Sequence, residues 1–256
     1  MTRGWFFLWV FLSGAWSAAV HADAQCELKV RFENYAELAR QDEELRWHGL
    51  DVDFAKALLD KAGCRYRFIG APWGRGMKML ELGEIDLVLS VSKNPEREKF
   101  AYFIGPQRQE TIVFAMNRHK PYELNSLPEL FALAKPVAIA RGAFYGREFA
   151  TRLNEMADAE QQFVFVPDNK LKIGMLQKQR IAGFLEEKYN LIYQQQNNPD
   201  YADVVISDFI VNQEPVYYAF SKVSVDEHLY RRLLKAYHSL QNSGELQTIL
   251  HKYKLN

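Results

Sequence analysis

The chain has 256 residues, enough for one large or two small domains. It is 48% hydrophobic and 14% aromatic, which supplies a sizeable core and excludes a disordered chain. Its 32 Lys and Arg balance its 32 Asp and Glu, so no net field draws it to nucleic acid or an anionic membrane.

Residues 1–24 read as a secretory signal peptide. Arg3 gives a positive start, residues 5–19 are apolar and aromatic, and His21-Ala22-Asp23-Ala24 puts small residues at cleavage spacing. Cleavage after Ala22 and cleavage after Ala24 fit equally well. The apolar run is too short for a comfortable membrane span. Asp23-Ala24-Gln25 makes a poor lipidation signal before Cys26. Export implies an oxidising compartment, and the two cysteines, Cys26 and Cys64, each stand just before an expected strand. If those strands are parallel neighbours, their starts lie close enough for a bridge, and a structural disulfide is expected. No His or third Cys stands at ligand spacing, so neither a metal nor another cofactor is expected.

In chain order, the pattern predicts a strand at 28–32, a polar loop to Arg46, and a helix at 51–62. Val52, Phe54, Ala55, Leu58 and Leu59 follow the helical period there, and Gly63 ends it. A strand at 66–69 and the turn Gly70-Ala71-Pro72-Trp73-Gly74 follow, then a helix carrying Met77, Leu80 and Leu82 and a buried strand at 85–89. A long strand at 109–116 ends at Asn117-Arg118-His119-Lys120-Pro121. The α/β pattern then resumes with a helix at 127–133, a strand at 137–140 and the loop Arg141-Gly142-Ala143. A helix at 144–157, a strand at 163–166, the turn Pro167-Asp168, a helix at 170–178 and a short strand at 181–185 come next. Strands at 204–206 and 216–220 precede closing helices at 226–241 and 245–252, split by Asn242-Ser243-Gly244. Alternating strands and helices imply parallel sheets with ligands at the carboxyl ends of the strands. The two α/β halves read as two lobes, joined by paired crossover strands near Phe114 and Tyr218. The expected division is 25–116 for lobe 1, 117–215 for lobe 2, and 216–256 returning to lobe 1.

Chemistry concentrates in Ser90-Val91-Ser92-Lys93-Asn94-Pro95-Glu96-Arg97. The chain leaves a strand, passes two hydroxyls, turns at a proline suited to a first helical position, and presents one arginine. A guanidinium fork matches a carboxylate, so this segment is a candidate grip for a small anion. An ordinary strand–loop–helix joint with a solvated arginine reads the same way. Trp73 is open between a core plug and a stacking surface. Arg75 is open between a salt bridge to Glu81 or Asp86 and a ligand contact, Tyr35 between rim and site, and Glu187 between a solvated helix residue and a site residue. Asp51 and Asp53 read as helix-start residues that complement the dipole.

Several segments, in order, resemble the bacterial extracytoplasmic solute-binding proteins of family 3, the amino-acid-binding group of ABC importers. They are Gly49-Leu50-Asp51-Val52-Asp53-Phe54-Ala55, Leu82-Gly83-Glu84-Ile85-Asp86, the serine–serine–arginine spacing ending at Arg97, Val137-Ala138-Ile139-Ala140-Arg141-Gly142, Gln179-Arg180-Ile181 and Ala219-Phe220-Ser221-Lys222. The resemblance implies an α/β, type II periplasmic-binding fold whose two lobes close on a ligand about hinge strands. It implies that Arg97 pairs with a ligand carboxylate, assisted by Ser90 and Ser92, that Glu187 (with Glu186 beside it) pairs with the α-amino group, and that Tyr35 and Trp73 flank the ligand. Where the family usually carries hydroxyls after the second-lobe Gly142, this chain has Ala143 and Phe144, leaving only backbone N–H groups. The usual Asp after the Arg-Ile pair is Ala182, and the loop at Tyr35-Ala36-Glu37-Leu38 lacks the usual proline and phenylalanine. The expectation is a monomeric periplasmic binding protein, not an enzyme, that captures an amino-acid-like or carboxylate small molecule for an inner-membrane ABC permease or as a sensor. The alternative is a periplasmic cyclohexadienyl dehydratase-like enzyme using Glu187 or Glu186 as an acid.

Overall fold

The computed structural model describes residues 26–166 and 169–255. The signal-peptide assignment and the Pro167-Asp168 turn lie outside them. The first part of the chain runs β1 (Glu27–Phe32), the short pair β2 (Arg40–Gln41) and β3 (Trp47–His48), α1 (Leu50–Lys61), β4 (Arg65–Gly70), α2 (Trp73–Leu82), β5 (Leu87–Ser92), α3 (Pro95–Glu98) and β6 (Ala101–Asn117). The middle runs α4 (Leu127–Phe131), β7 (Val137–Ile139), α5 (Arg147–Glu155), α6 (Ala159–Gln162), β8 (Phe163–Phe165), α7 (Asn169–Gln177), β9 (Gly183–Glu187) and α8 (Lys188–Asn197). Last come β10 (Val204–Ser221), α9 (Glu227–Ser243) and α10 (Glu245–Lys252).

Among the described residues one eight-stranded sheet runs in the order β4-β1-β5-β10-β6-β9-β7-β8. At one end β1 pairs in parallel with β4 and β5; at the other, β7 pairs in parallel with β8 and β9. Between them β6 and β10 pair antiparallel along their lengths. Their first and last halves belong to different lobes, so they form the double crossing between the two. The apolar core divides accordingly. In the first lobe, Phe54, Leu58, Leu233 and Leu240 of α1 and α9 bury one face of the sheet, and Met77 and Leu80 of α2 bury the other. In the second, Leu130 and Phe149 cover one face while Ile173, Leu176 and Leu191 cover the other. Covering both faces is what a parallel sheet requires. Cys26 and Cys64 are bonded, their Cα atoms 4.9 Å apart, at the paired starts of β1 and β4.

Several expectations change, among them the strand at 85–89, which runs Leu87–Ser92, and the helix at 144–157, which runs Arg147–Glu155. Leu82 is exposed rather than part of the α2 core, because five positions beyond Met77 it has rotated off the buried face. Strand β6 begins eight residues earlier than its apolar run, through Gly105 and Pro106, because β10 pairs with it from Ala101 onward. The two short strands at 204–206 and 216–220 are one strand, β10, whose register shifts absorb the polar residues between them. Strand β9 starts at Gly183, two residues later than expected. A Cβ at Gly183 would stand 2.3 Å from the Ala115 carbonyl of β6, so the two backbones approach through the glycine. That shift carries Glu186 and Glu187 off a helix start and onto the buried end of a strand.

Candidate functional site

The carboxyl ends of β1, β4 and β5 face those of β7, β8 and β9 across a cleft, the position an open parallel sheet offers a ligand. It encloses a cavity of about 530 Å³. Tyr35, Trp73, Arg75, Ser90 and Ser92 line it from the first lobe, and Ala143, Phe144, Tyr145, Glu186 and Glu187 from the second. Arg97 and Gly142 are not on its wall, although both were expected to meet a ligand.

Local sequence explains how Arg97 is held. Pro95 occupies the first turn of α3, and the Asn94 side chain accepts from the Arg97 N–H at 2.9 Å. Arg97 is only 6% exposed. One terminal nitrogen donates to the Ser92 carbonyl at 2.7 Å, and the other crosses the cleft to the Gly142 carbonyl at 2.9 Å. Trp73 Nε1 donates to the same carbonyl at 3.1 Å. Gly142 has φ +75°, the left-handed region open to glycine, and this turn points its carbonyl at the first lobe. The loop was expected to offer N–H groups to an anion. Instead it offers a carbonyl to Arg97, and the Ala143 N–H is used within the turn, on Ala140. Among the described residues Arg97 has no carboxylate at ion-pair distance and three of its five N–H groups have no acceptor. Burial, partly offset by Glu110, lowers its pKa to about 10.

The serines are more committed than expected. Ser90 sits in the left-handed region at φ +54°, where β5 slips register against β10. Its hydroxyl donates to Asp51 at 2.9 Å and accepts from Arg108 at 3.2 Å. Asp51 is therefore more than a helix-start residue: it is buried and lines the cavity, and burial pushes its carboxyl up to about 6 against the pull of Arg108. The Ser92 hydroxyl donates to Glu110 at 3.4 Å.

The second-lobe acids are each neutralised by the protein itself. Arg108 grips both oxygens of Glu187, at 3.3 Å on Oε2 and closer on Oε1, with both side chains almost fully buried. Burial pushes the Glu187 carboxyl up, and Arg108 pulls it back. Lys172 donates to Glu186 Oε2 at 2.6 Å, while the Tyr35 hydroxyl and the Glu187 N–H occupy its Oε1. Against burial, these donors hold Glu186 below the usual carboxylate range. Glu187 thus stands where it was expected, on the cavity wall, with its charge already matched.

Glu110, Arg108, Lys172 and Tyr145 were not singled out from the sequence. Glu110 lies in the expected strand that read as mere hinge and Arg108 just before its expected start, and only the pairing of β6 with β9 and β10 brings them to the cleft. Trp73 both packs on the α2 core and walls the cavity. Arg75 reaches the cavity rim but is exposed, with neither expected acidic partner. Among the described residues no group of three or more His, Cys, Asp or Glu could hold a metal ion, and no helix is long and apolar enough to cross a membrane.

A two-lobed α/β fold with a polar, aromatic-walled cavity at the facing strand ends defines a hinge-type solute-binding protein. The chain belongs to the bacterial extracellular solute-binding proteins, family 3, whose model matches residues 28–256. No curated protein sequence matches it. Among solved structures it is similar to a histidine kinase sensor domain with similarity to periplasmic binding proteins (17% identity, 90% of this chain and 96% of that one, TM-score 0.76). It is also similar to the amino acid ABC transporter substrate-binding protein AbpA from Streptococcus pneumoniae, bound to L-arginine (21%, 89% and 94%, 0.72). A third is the ancestral amino acid-binding protein AncCDT-1, a precursor of cyclohexadienyl dehydratase (20%, 89% and 95%, 0.71). At these identities the likeness establishes the fold.

Proposed function

We propose that the protein captures a small amino-acid-like carboxylate between its lobes in the periplasm, and passes it to an ABC permease or reports it to a receptor. The observation that carries this reading is Arg97: a buried guanidinium beside the cavity, without a carboxylate partner, whose neighbours Ser92, Trp73 and Phe144 all line that cavity. A ligand carboxylate exchanges with the Gly142 carbonyl on Arg97 and gains a charge-assisted, two-pronged contact. The mechanism is a population shift, in which contacts to both lobes favour the closed form and the closed surface is what a membrane partner reads. The amino-acid ligands named for AbpA and AncCDT-1 agree with this class.

Thermal-shift and calorimetric screens of small carboxylates and amino acids test it. Saturable binding that Arg97→Ala weakens by roughly 2–5 kcal/mol is expected; a variant within a few-fold of wild type rejects the assignment. A second reading, acid catalysis on a cyclohexadienyl acid, draws on one feature: Glu110 lines the cavity with its carboxyl pushed up to about 8, first by burial and then by Glu187. Product formed from prephenate or arogenate, without saturable stabilisation by any amino acid, would favour it.

A further inference from the structure

The charges around the cavity do not balance, and the imbalance runs one way. Of the acids on its wall, Glu33 is paired with Arg31, Glu186 with Lys172 and Glu187 with Arg108. The other two are not free either. Asp51 accepts from the Ser90 hydroxyl, which in turn accepts from Arg108. Glu110, half-buried, accepts from Ser92 and lies in the fields of Arg108 and Arg97. One cation of β6, Arg108, therefore answers three acids: Glu187 by contact, Asp51 and Glu110 by its field. On the positive side Arg97 has no carboxylate beside it. Among the described residues neither Arg75 nor Arg141, one on each lip of the cleft, has an acid at ion-pair distance. The cavity thus has cations waiting for an anion and no acid waiting for a cation. The point is sharpest at Glu187. Its carboxylate lines the cavity, while Arg108 stands off that wall and grips both oxygens from behind it. Such a pair has no net charge. It can still accept a hydrogen bond from a neutral hydroxyl, but an ammonium there would lose its hydration to a partner already matched, with the charge of Arg108 next in line.

We propose that Arg108, acting through Glu187, closes this cavity to ammonium groups, so that the ligand is a carboxylic acid without an amine, carrying at most a neutral hydroxyl or carbonyl where an α-amino group would stand. This rests on the carboxylate reading above and narrows it: the ligand resembles an amino acid in its carboxylate and not in its amine. Arg108 touches no ligand. It is a positioning residue that sets specificity by matching the acid a cation would need.

The test is titration calorimetry of the wild-type protein with the common L-α-amino acids, each beside the 2-hydroxy acid and the des-amino acid of the same side chain. At least one hydroxy or des-amino acid is expected to bind about tenfold or more tighter than its amino acid. In Arg108→Ala that ratio should fall by about tenfold or more, because Glu187 is released to an ammonium. The ratio compares two ligands on one protein, so a general loss of stability does not move it. If Arg108→Ala does not fold, the double variant Arg108→Ala/Glu187→Gln leaves neither charge orphaned; the repulsion from Arg108 is gone there too, and the ratio should still fall by about threefold or more. An amino acid that binds wild type as well as its hydroxy and des-amino counterparts, or better, overturns the inference and leaves the carboxylate reading standing. A ratio unchanged in the variant that folds overturns the role of Arg108. If no member of any series binds wild type, the carboxylate reading fails and this inference fails with it.

Discussion

Replacing Arg108 with alanine removes the cation that neutralises Glu187 inside the cleft. Both side chains are almost fully buried, at 4% and 3% exposure, and the guanidinium makes two bonds to the carboxylate, one to the Ser90 hydroxyl and one to the Gln109 carbonyl. Desolvation works against the charge of Arg108, but Glu187 and Asp51 outweigh it and raise its pKa. Without Arg108, Glu187 keeps its burial and loses its partner, and breaking such a pair from one side costs about 3–5 kcal/mol. For a chain of this size that corresponds to a fall in Tm of about 6–20 °C. Urea unfolding followed by circular dichroism measures it. The double variant Arg108→Ala/Glu187→Gln removes both charges and should recover much of the loss, giving, with the two single variants, a favourable coupling energy in the cycle. The sign with pH is also set. An orphaned Glu187 has a folded pKa far above its unfolded value, so the Arg108→Ala variant is relatively more stable below about pH 4.5 and loses stability as pH rises. A loss under about 1 kcal/mol, or a double variant no better than the single, would refute the claim that Arg108 is what holds Glu187 in the cleft.

Three further outcomes follow from other features. Unliganded wild type should lose stability between about pH 4.5 and 8, by up to about 1.4 kcal/mol per pH unit for each acid titrating. Asp51 at about 6 and Glu110 at about 8 hold protons in the folded state that the unfolded chain has released; chemical denaturation across this range should show a shallower decline for Glu110→Gln. Reduction, or Cys26→Ser with Cys64→Ser, reopens a loop of sequence separation 38 and should cost about 4 kcal/mol by loop entropy; a variant as stable as wild type would contradict the bridge. Trp73→Phe removes one hydrogen bond to the Gly142 carbonyl across the cleft and should shift the open–closed balance by about 0.5–1.5 kcal/mol. A dye pair on the two lobes reads that shift, and an unchanged distance distribution would dismiss the bond as a clasp.

Much of this molecule was legible in the chain because local chemistry enforces it. The period of Val52, Phe54, Ala55, Leu58 and Leu59 makes α1 and buries its face. Asn94 and Pro95 start α3 and hold Arg97 in place, and parallel pairing of the strands after Cys26 and Cys64 brings the two sulfurs together. These depend on residues within a few positions of one another, or on one alternation repeated. The electrostatic identity of the cleft was decided elsewhere. Glu110 and Arg108 belong to the polar run Gln107-Arg108-Gln109-Glu110-Thr111 of β6, and nothing in that run tells which of its side chains face the cleft. They become site residues only because β6 lies between β10 and β9, within reach of Ser92 of β5 and Glu187 of β9. Likewise the chain announces a carboxylate at Glu187 but not that an arginine 79 positions earlier would neutralise it. Periodicity and capping are short-range and survive in the sequence. Which buried charge meets which is set by distances between strands far apart in the chain, and only the folded sheet determines those.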